Sequence, residues 1–182
     1  HVEAGLRTHD KFAPYPEEVN RKVIATYSDF NFAPTVSAKK NLLAEGVPED
    51  KISVVGNTII DALIMTLAKL QDDKALCQNL DEQFPCLKID KKIILVTAHR
   101  RENQGEGIQN ICEAIQTLAE TNENLHFIFP VHLTPDVHEP VHQNLDNLSR
   151  VTLTPPLDYF SFIYIMSQSY IILTDSGGIQ EE

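Results

Sequence analysis

Residues 92–97 read KIILVT and run straight into Ala98-His99-Arg100-Arg101-Glu102-Asn103. A short run of leucine and β-branched side chains without polar alternation suits a strand covered on both faces, as in a parallel sheet between helices. Three more runs share this character: 126–131 (HFIFPV), 150–153 (RVTL) and 170–174 (YIILT). All four are expected to be buried on both faces. The stretches between them, 107–120, 137–145 and 159–167, read as helices, so the chain is a succession of βα units with right-handed crossovers, an α/β protein with a parallel sheet. Ligands of such sheets bind beyond the carboxyl ends of the strands, which directs attention to the residues after Thr97, Val131 and Thr174.

Working outward toward the amino end, residues 17–27 read as a helix, 31–33 as a short strand, and 35–45 as a second helix closed by Gly46. Residues 52–55 form a further strand, followed by G-N-T and a helix over about 59–70. The polar stretch 71–90 holds Pro85 and reads as surface connection rather than sheet. A domain boundary is placed near 56–58, dividing the chain into 1–57 and 58–182. The chain opens on H-V-E-A-G, as at the end of a strand, and closes on G-G-I-Q-E-E, as a helix begins. A longer parent protein is therefore expected.

The composition narrows the function classes. With 182 residues, 42% hydrophobic and 23% charged, the chain is an ordinary globular sequence. Its 15 Lys+Arg against 26 Asp+Glu give a formal charge of −11, which argues against nucleic acid as a partner, since such binders neutralise many phosphates with basic stripes. One or two phosphates held locally are compatible with it. Cys77, Cys86 and Cys112 form no C-x-x-C pair and read as reduced thiols of a cytoplasmic protein. No run of about 18 apolar residues offers a membrane span.

Three clusters carry candidate chemistry. In Thr174-Asp175-Ser176-Gly177-Gly178 two glycines let backbone approach a ligand, free amides at the following helix start suit an anion, and Ser176 adds a hydroxyl. Glu182, one helical turn beyond Gly178, is placed to accept from ribose hydroxyls. A plain strand-to-helix turn with good capping residues would use the same letters. In the second cluster, T-A-H-R-R-E-N at 97–103, His99 is suited to donate to a leaving phosphate oxygen, and the Arg100 guanidinium is a planar fork matched to phosphate. A solvated charged loop is the alternative. The third joins H-V-E-A-G-L-R-T at 1–8 with P-E-E-V-N-R at 16–21. Glu3 and Glu17 are carboxylates suited to acid and base roles if folding brings them together; alternatively Glu17 serves the helix dipole and pairs with Arg21. His132, His138, His142 and Asp136 suggest a metal, but Pro135 and Pro140 are expected to disturb the helix that would align His138 with His142, and no metal site is assigned.

Taken together, H-V-E-A-G-L-R-T, P-E-E-V-N-R, G-N-T-I-I-D, T-A-H-R-R-E-N, P-V-H-L and L-T-D-S-G-G-I-Q-E-E, in this order over the whole chain, resemble the bacterial non-hydrolysing UDP-N-acetylglucosamine 2-epimerases. The resemblance implies a glycosyltransferase-B-like fold of two Rossmann-type domains, the first only partly present here, with the active site in the cleft between them. It implies a cytoplasmic homodimer, no cofactor, and reversible inversion at C2 between UDP-N-acetylglucosamine and UDP-N-acetylmannosamine, feeding surface polysaccharide. The C2 hydrogen has no adjacent carbonyl to acidify it, so the family route eliminates UDP to give 2-acetamidoglucal and then re-adds it. Matched motif by motif, Glu3, Glu17 and His99 fall on the catalytic groups; Ser176, Gly177, Gly178 and Glu182 on the UDP loop; and Phe162 on a wall of the uridine pocket. Arg100, His132 and Glu17 fall on the allosteric site for a second UDP-N-acetylglucosamine. A further catalytic Asp of the family belongs to its N-terminal half. A retaining glycosyltransferase of the same fold and a non-catalytic nucleotide-sugar sensor are the alternatives.

Overall fold

The computed structural model describes residues 1–100 and 103–182; Arg101 and Glu102 of the T-A-H-R-R-E-N motif lie outside the described residues. The chain divides into two compact units, His1–Asp61 and Ala62–Glu182.

The first unit contains α1 (Glu17–Tyr27), β1 (Asn31–Ala33), α2 (Val36–Ala44) and β2 (Ile52–Val54), with the start of α3 (Thr58–Asp72). β1 and β2 pair in parallel, and Val2 adds a parallel bridge to Phe32. Its core is small: Ala4, Ala25, Ala33, Ala38, Leu42 and Ile52. Small residues let helix and strand approach closely, and Gly5 is the extreme case. Its φ is +87°, and a Cβ there would run into the Ala38 carbonyl, so the glycine of the H-V-E-A-G motif is a packing requirement. The loop that follows is held by carboxylates. Glu18 is fully buried and accepts from the amides of Thr8 (3.2 Å) and His9 (3.1 Å). Arg7 clamps Glu45 through two parallel bonds of 2.9 and 2.7 Å, the bidentate geometry that makes guanidinium pairs strong. The Thr35 hydroxyl caps α2 by accepting from Ala38 N at 3.1 Å.

The second unit continues α3 into α4 (Lys74–Gln83), β3 (Lys92–Thr97), α5 (Glu106–Thr121), β4 (Leu125–Pro130), α6 (Pro135–Leu145), β5 (Val151–Thr154), α7 (Tyr159–Gln168), β6 (Ile171–Thr174) and α8 (Gly177–Glu181). The four strands form one parallel sheet in the order β5-β4-β3-β6. The two-residue period of β3 divides its side chains between two cores. Ile94 and Val96 meet α5 and α6 through Ile108, Cys112, Ile115, Val137, Val141 and Leu145. Ile93 and Leu95 meet Leu70, Leu80, Phe84 and the Ile163–Ile165 segment of α7 on the opposite face.

Three expectations are corrected here. First, β3 from Ile93 onward and the middle of β4 are buried, but β5 is half-buried throughout and β6 alternates between exposed and half-buried; within this chain these two have a neighbouring strand on one side. Second, residues 71–90 are not simple surface connection: they hold α4 and a 3-10 turn at Pro85–Lys88, and Leu76, Leu80 and Phe84, spaced by four, turn one face into the core. The polar composition hid that stripe. Third, α6 runs through Pro140 without a break. Pro140 removes one backbone bond, but burial of Val137, Val141 and Leu145 holds the helix on the sheet, and His138 and His142 share a face with ring centroids 4.2 Å apart.

The Arg7–Glu45 clamp generates a pH prediction. Hydrogen bonds from Arg7 hold the Glu45 carboxyl below its ordinary value of 4.5, against an opposing effect of burial. A depressed carboxylate contributes stability that is complete above the unfolded value and disappears as pH falls through the folded one. Glu45→Gln is therefore expected to lower the urea midpoint at pH 7. Its difference from the unsubstituted chain should shrink steadily below about pH 4.5, the ordinary carboxylate range, as followed by circular dichroism. A difference independent of pH would show that the carboxylate charge is not what the clamp uses.

Candidate nucleotide-sugar site

Parallel pairing of β3 with β6 sets Thr97 opposite Thr174, so the two strand-end loops leave the sheet side by side. Their hydroxyls meet at 2.6 Å, and the Thr174 hydroxyl also accepts from Ser176 N at 2.9 Å. Asp175, one residue beyond β6, then ties the loops together. One carboxylate oxygen accepts from Arg100 N (2.8 Å), from His99 N (3.1 Å) and from the Asn103 side-chain amide (2.9 Å), while the other lies 3.3 Å from His99 N. The Asp175 carbonyl accepts from Arg100 Nε at 3.1 Å. The His99 Nδ1 sits 3.8 Å from the carboxylate, and the Asp175 side chain is only 11% exposed. Arg100 lies against the glycine loop: a Cβ on Gly177 would be 3.4 Å from its guanidinium.

Beyond these strand ends is a cavity of about 250 Å³ lined by Ala98, His99, His132, Phe162, Leu157 and Ile179, among others. His132 follows β4, and its ring stacks against His99 with centroids 5.9 Å apart and planes 14° from parallel. Thr134 N donates to His132 Nδ1 at 3.2 Å, so a neutral His132 carries its proton on Nε2. Phe162 is set by the start of α7, where Asp158 caps the helix by accepting from Ser161 N and Oγ at 3.1 and 2.6 Å. Those bonds, the Ser161 hydroxyl first, hold the Asp158 carboxyl below the usual carboxylate range. Larger cavities of about 300 and 420 Å³ lie between β6 and α5 and beside Cys86 and Thr152. The first is almost entirely aliphatic, and neither collects His99, His132 and Phe162.

Of the residues singled out from the sequence, the structure thus gathers His99, Arg100, His132, Phe162 and the loop of Ser176, Gly177 and Gly178 at one edge of the second unit. Glu182 follows α8, with its amide on the Gly178 carbonyl at 3.3 Å. One of its side-chain oxygens is buried without a hydrogen-bond partner among the described residues, and burial raises its pKa. Glu3 and Glu17 belong to the first unit, where both are exposed and no hydrogen bond joins them. Glu17 forms no ion pair with Arg21; the buried acid of P-E-E is its neighbour, Glu18. Glu3 has φ of +56°, a left-handed conformation uncommon for a residue with a side chain, at the point where the chain leaves its bridge to β1. Among the described residues no group of three or more His, Cys, Asp or Glu side chains is arranged to hold a metal.

Asp175 and Glu18 escaped the sequence reading as individual residues. A usable signal was present for the first: an acid and an asparagine facing each other in T-D-S-G-G and R-E-N become partners once β3 and β6 are known to be neighbours. Nothing in P-E-E distinguishes the buried glutamate from the exposed one.

Comparison with known proteins gives the family. The family model for UDP-N-acetylglucosamine 2-epimerase matches residues 1–182. The UDP-N-acetylglucosamine 2-epimerase of Salmonella typhimurium is 47% identical over 182 residues, covering 100% of this chain and 48% of that protein. A crystal structure of the Neisseria meningitidis enzyme bound to UDP-GlcNAc superposes with a TM-score of 0.95 at 47% identity, covering 100% of this chain and 49% of that one. The Methanocaldococcus jannaschii enzyme in complex with UDP-GlcNAc and UDP gives 0.79 at 35% identity, covering 99% and 49%. The chain spans about half the length of the curated relatives it matches. Over every residue of its length, with the glycine loop and the histidine loop joined at the ends of two neighbouring strands, the chain belongs to the UDP-N-acetylglucosamine 2-epimerase family.

Proposed function

We propose that the chain carries the UDP-binding half-site of an isomerase that interconverts UDP-N-acetylglucosamine and UDP-N-acetylmannosamine by eliminating and re-adding UDP. The observation that supports it most is the joining of the His99–Arg100 loop to the Ser176–Gly178 loop beside a cavity with an aromatic wall. Cations, a hydroxyl and backbone amides are the groups that meet a diphosphate, and Phe162 offers a ring face to a uracil. The amides of Gly177 and Gly178, with the Ser176 hydroxyl, are the donors assigned to the phosphates; the Ser176 amide is held by the Thr174 hydroxyl.

The chemistry needs this arrangement because C2 carries no acidic proton. Departure of UDP from C1 leaves an oxocarbenium-like carbon, which makes the C2 proton removable. The diphosphate departs readily only where preorganised donors meet its growing charge. His99 and the loop amides are given that task, with Arg100 beside them. Glu3 and Glu17 are assigned the proton transfers on the sugar, on the strength of the motif match and, for Glu3, of a backbone conformation that costs energy to hold. Glu182 is assigned to the ribose hydroxyls, where its buried, unpartnered oxygen would gain donors. Glu17, Arg100 and His132 are assigned to a second, activating UDP-N-acetylglucosamine. The enzyme is taken to work as a cytoplasmic homodimer whose product enters surface polysaccharide.

Two experiments test the proposal. UDP at about 100 times its dissociation constant adds roughly 2.7 kcal/mol to the folded state. For a chain of this size that is a rise of roughly 5 °C or more in melting temperature. His99→Ala is expected to weaken UDP binding about tenfold, the loss of one charge-assisted hydrogen bond; no thermal shift with UDP removes the reading. Second, the full-length protein that contains this chain, supplied with UDP-N-acetylglucosamine in deuterated water, is expected to place deuterium at C2; the isolated half-site, without the Asp of the N-terminal half, is not expected to turn over. Sugar transfer to an acceptor without deuterium at C2 would point instead to a glycosyltransferase.

A further inference from the structure

We infer that Asp175 is a positioning residue for the diphosphate: its carboxylate fixes the His99 loop in the one arrangement that lets the imidazole, the Arg100 guanidinium and the amides after Asp175 face the same anion. The inference rests on the diphosphate reading above and deepens it.

A carboxylate beside a phosphate site is at first sight an electrostatic error, since it repels the ligand. Its hydrogen bonding resolves the difficulty. The carboxylate is engaged by backbone N–H groups of the His99 loop, and one oxygen also takes the Asn103 amide. A carboxylate so occupied, and so little exposed, has its charge spread into donors and is poorly placed to take a proton from a sugar. It therefore acts through its neighbours. Anchoring two consecutive amides, His99 and Arg100, fixes the backbone from which the imidazole and the guanidinium project. The Asp175 carbonyl fixes Arg100 a second time through Nε, leaving the outer guanidinium nitrogens beside Gly177. The 3.8 Å approach of His99 Nδ1 turns that nitrogen toward the carboxylate, while the ring lines the cavity together with Phe162.

Asp175 also belongs to both loops at once. It follows Thr174, whose hydroxyl holds Ser176 N, and its own amide donates to the Thr97 carbonyl at 3.2 Å. Moving the carboxylate moves the donors of one loop relative to the other. A diphosphate spans both; a bare uridine resting on Phe162 does not. Asp175 should therefore govern affinity for the phosphates and not for the nucleoside, a split that general loosening of the fold would not produce.

The test uses the whole chain with UDP and uridine as separate probes, by calorimetry for the first and NMR titration for the second. Asp175→Asn keeps the shape but turns an NH2 group toward amides that need an acceptor. Folded by circular dichroism, it is expected to bind UDP at least tenfold more weakly and uridine within twofold of the unsubstituted chain. UDP affinity within twofold, or equal losses for UDP and uridine, overturns the inference while leaving the diphosphate reading intact. If Asp175→Asn does not fold, Asn103→Ala decides: a UDP loss of threefold or more with uridine unchanged supports the role, and unchanged UDP affinity rejects it. An unsubstituted chain that binds no UDP sinks both the reading and the inference.

Discussion

The carboxylate of Asp175, held by the amides of His99 and Arg100 and by the Asn103 side chain, is the interaction on which the arrangement of the site depends. Parallel pairing of β3 with β6 makes their following loops neighbours, but adjacency alone leaves a loop free to sample many conformations. Hydrogen bonds to a charged group contribute about 1.5–3 kcal/mol each, roughly twice a neutral bond. Several of them on one side chain are enough to select a single loop geometry against the entropy of the rest. The sheet brings the loops together, and the carboxylate decides how they face.

The same device appears in the first unit. Glu18, fully buried, holds the amides of Thr8 and His9, and Glu45 holds Arg7 from the other side of the same loop. A core built from four alanines, one leucine and one isoleucine buries little apolar area, so polar clamps do much of the shaping there. In both units an acid fixes a segment that carries, or adjoins, a residue assigned to the chemistry. Part of the chain's acidic excess is thus internal scaffolding. Exposure separates the two kinds of glutamate: Glu18 is sealed, whereas Glu3 and Glu17 present their carboxylates outward.

What could be read from the letters was what depends on local periodicity. KIILVT, HFIFPV and the helices between them announce themselves because apolar spacing of two or of three to four is a property of neighbouring residues. The number of neighbouring strands is not a local property, so in this chain β5 and β6 read as buried as β3 and β4 although each pairs on one side alone. The helix over residues 74–83 was masked by its polar majority; α6 was legible at 137–145, but not its unbroken course through Pro140, whose cost is outweighed by three buried side chains. The site divides in the same way. His99, His132 and the Ser176–Gly178 loop were found because strand ends are where open α/β sheets bind ligands. Asp175 and Glu18 act by accepting bonds from distant segments, and that role is visible only after the chain has folded.

The central claim is that the loops after β3 and β6 meet one and the same diphosphate. Titrating UDP into the 15N-labelled chain tests it most directly, because each backbone amide reports separately. The account predicts that the amides of Ala98 to Arg100 and of Ser176 to Gly178 shift together with a single dissociation constant, and that uridine moves residues around Phe162 while leaving both loops in place. Shifts confined to one loop, or two loops titrating with different constants, would contradict it.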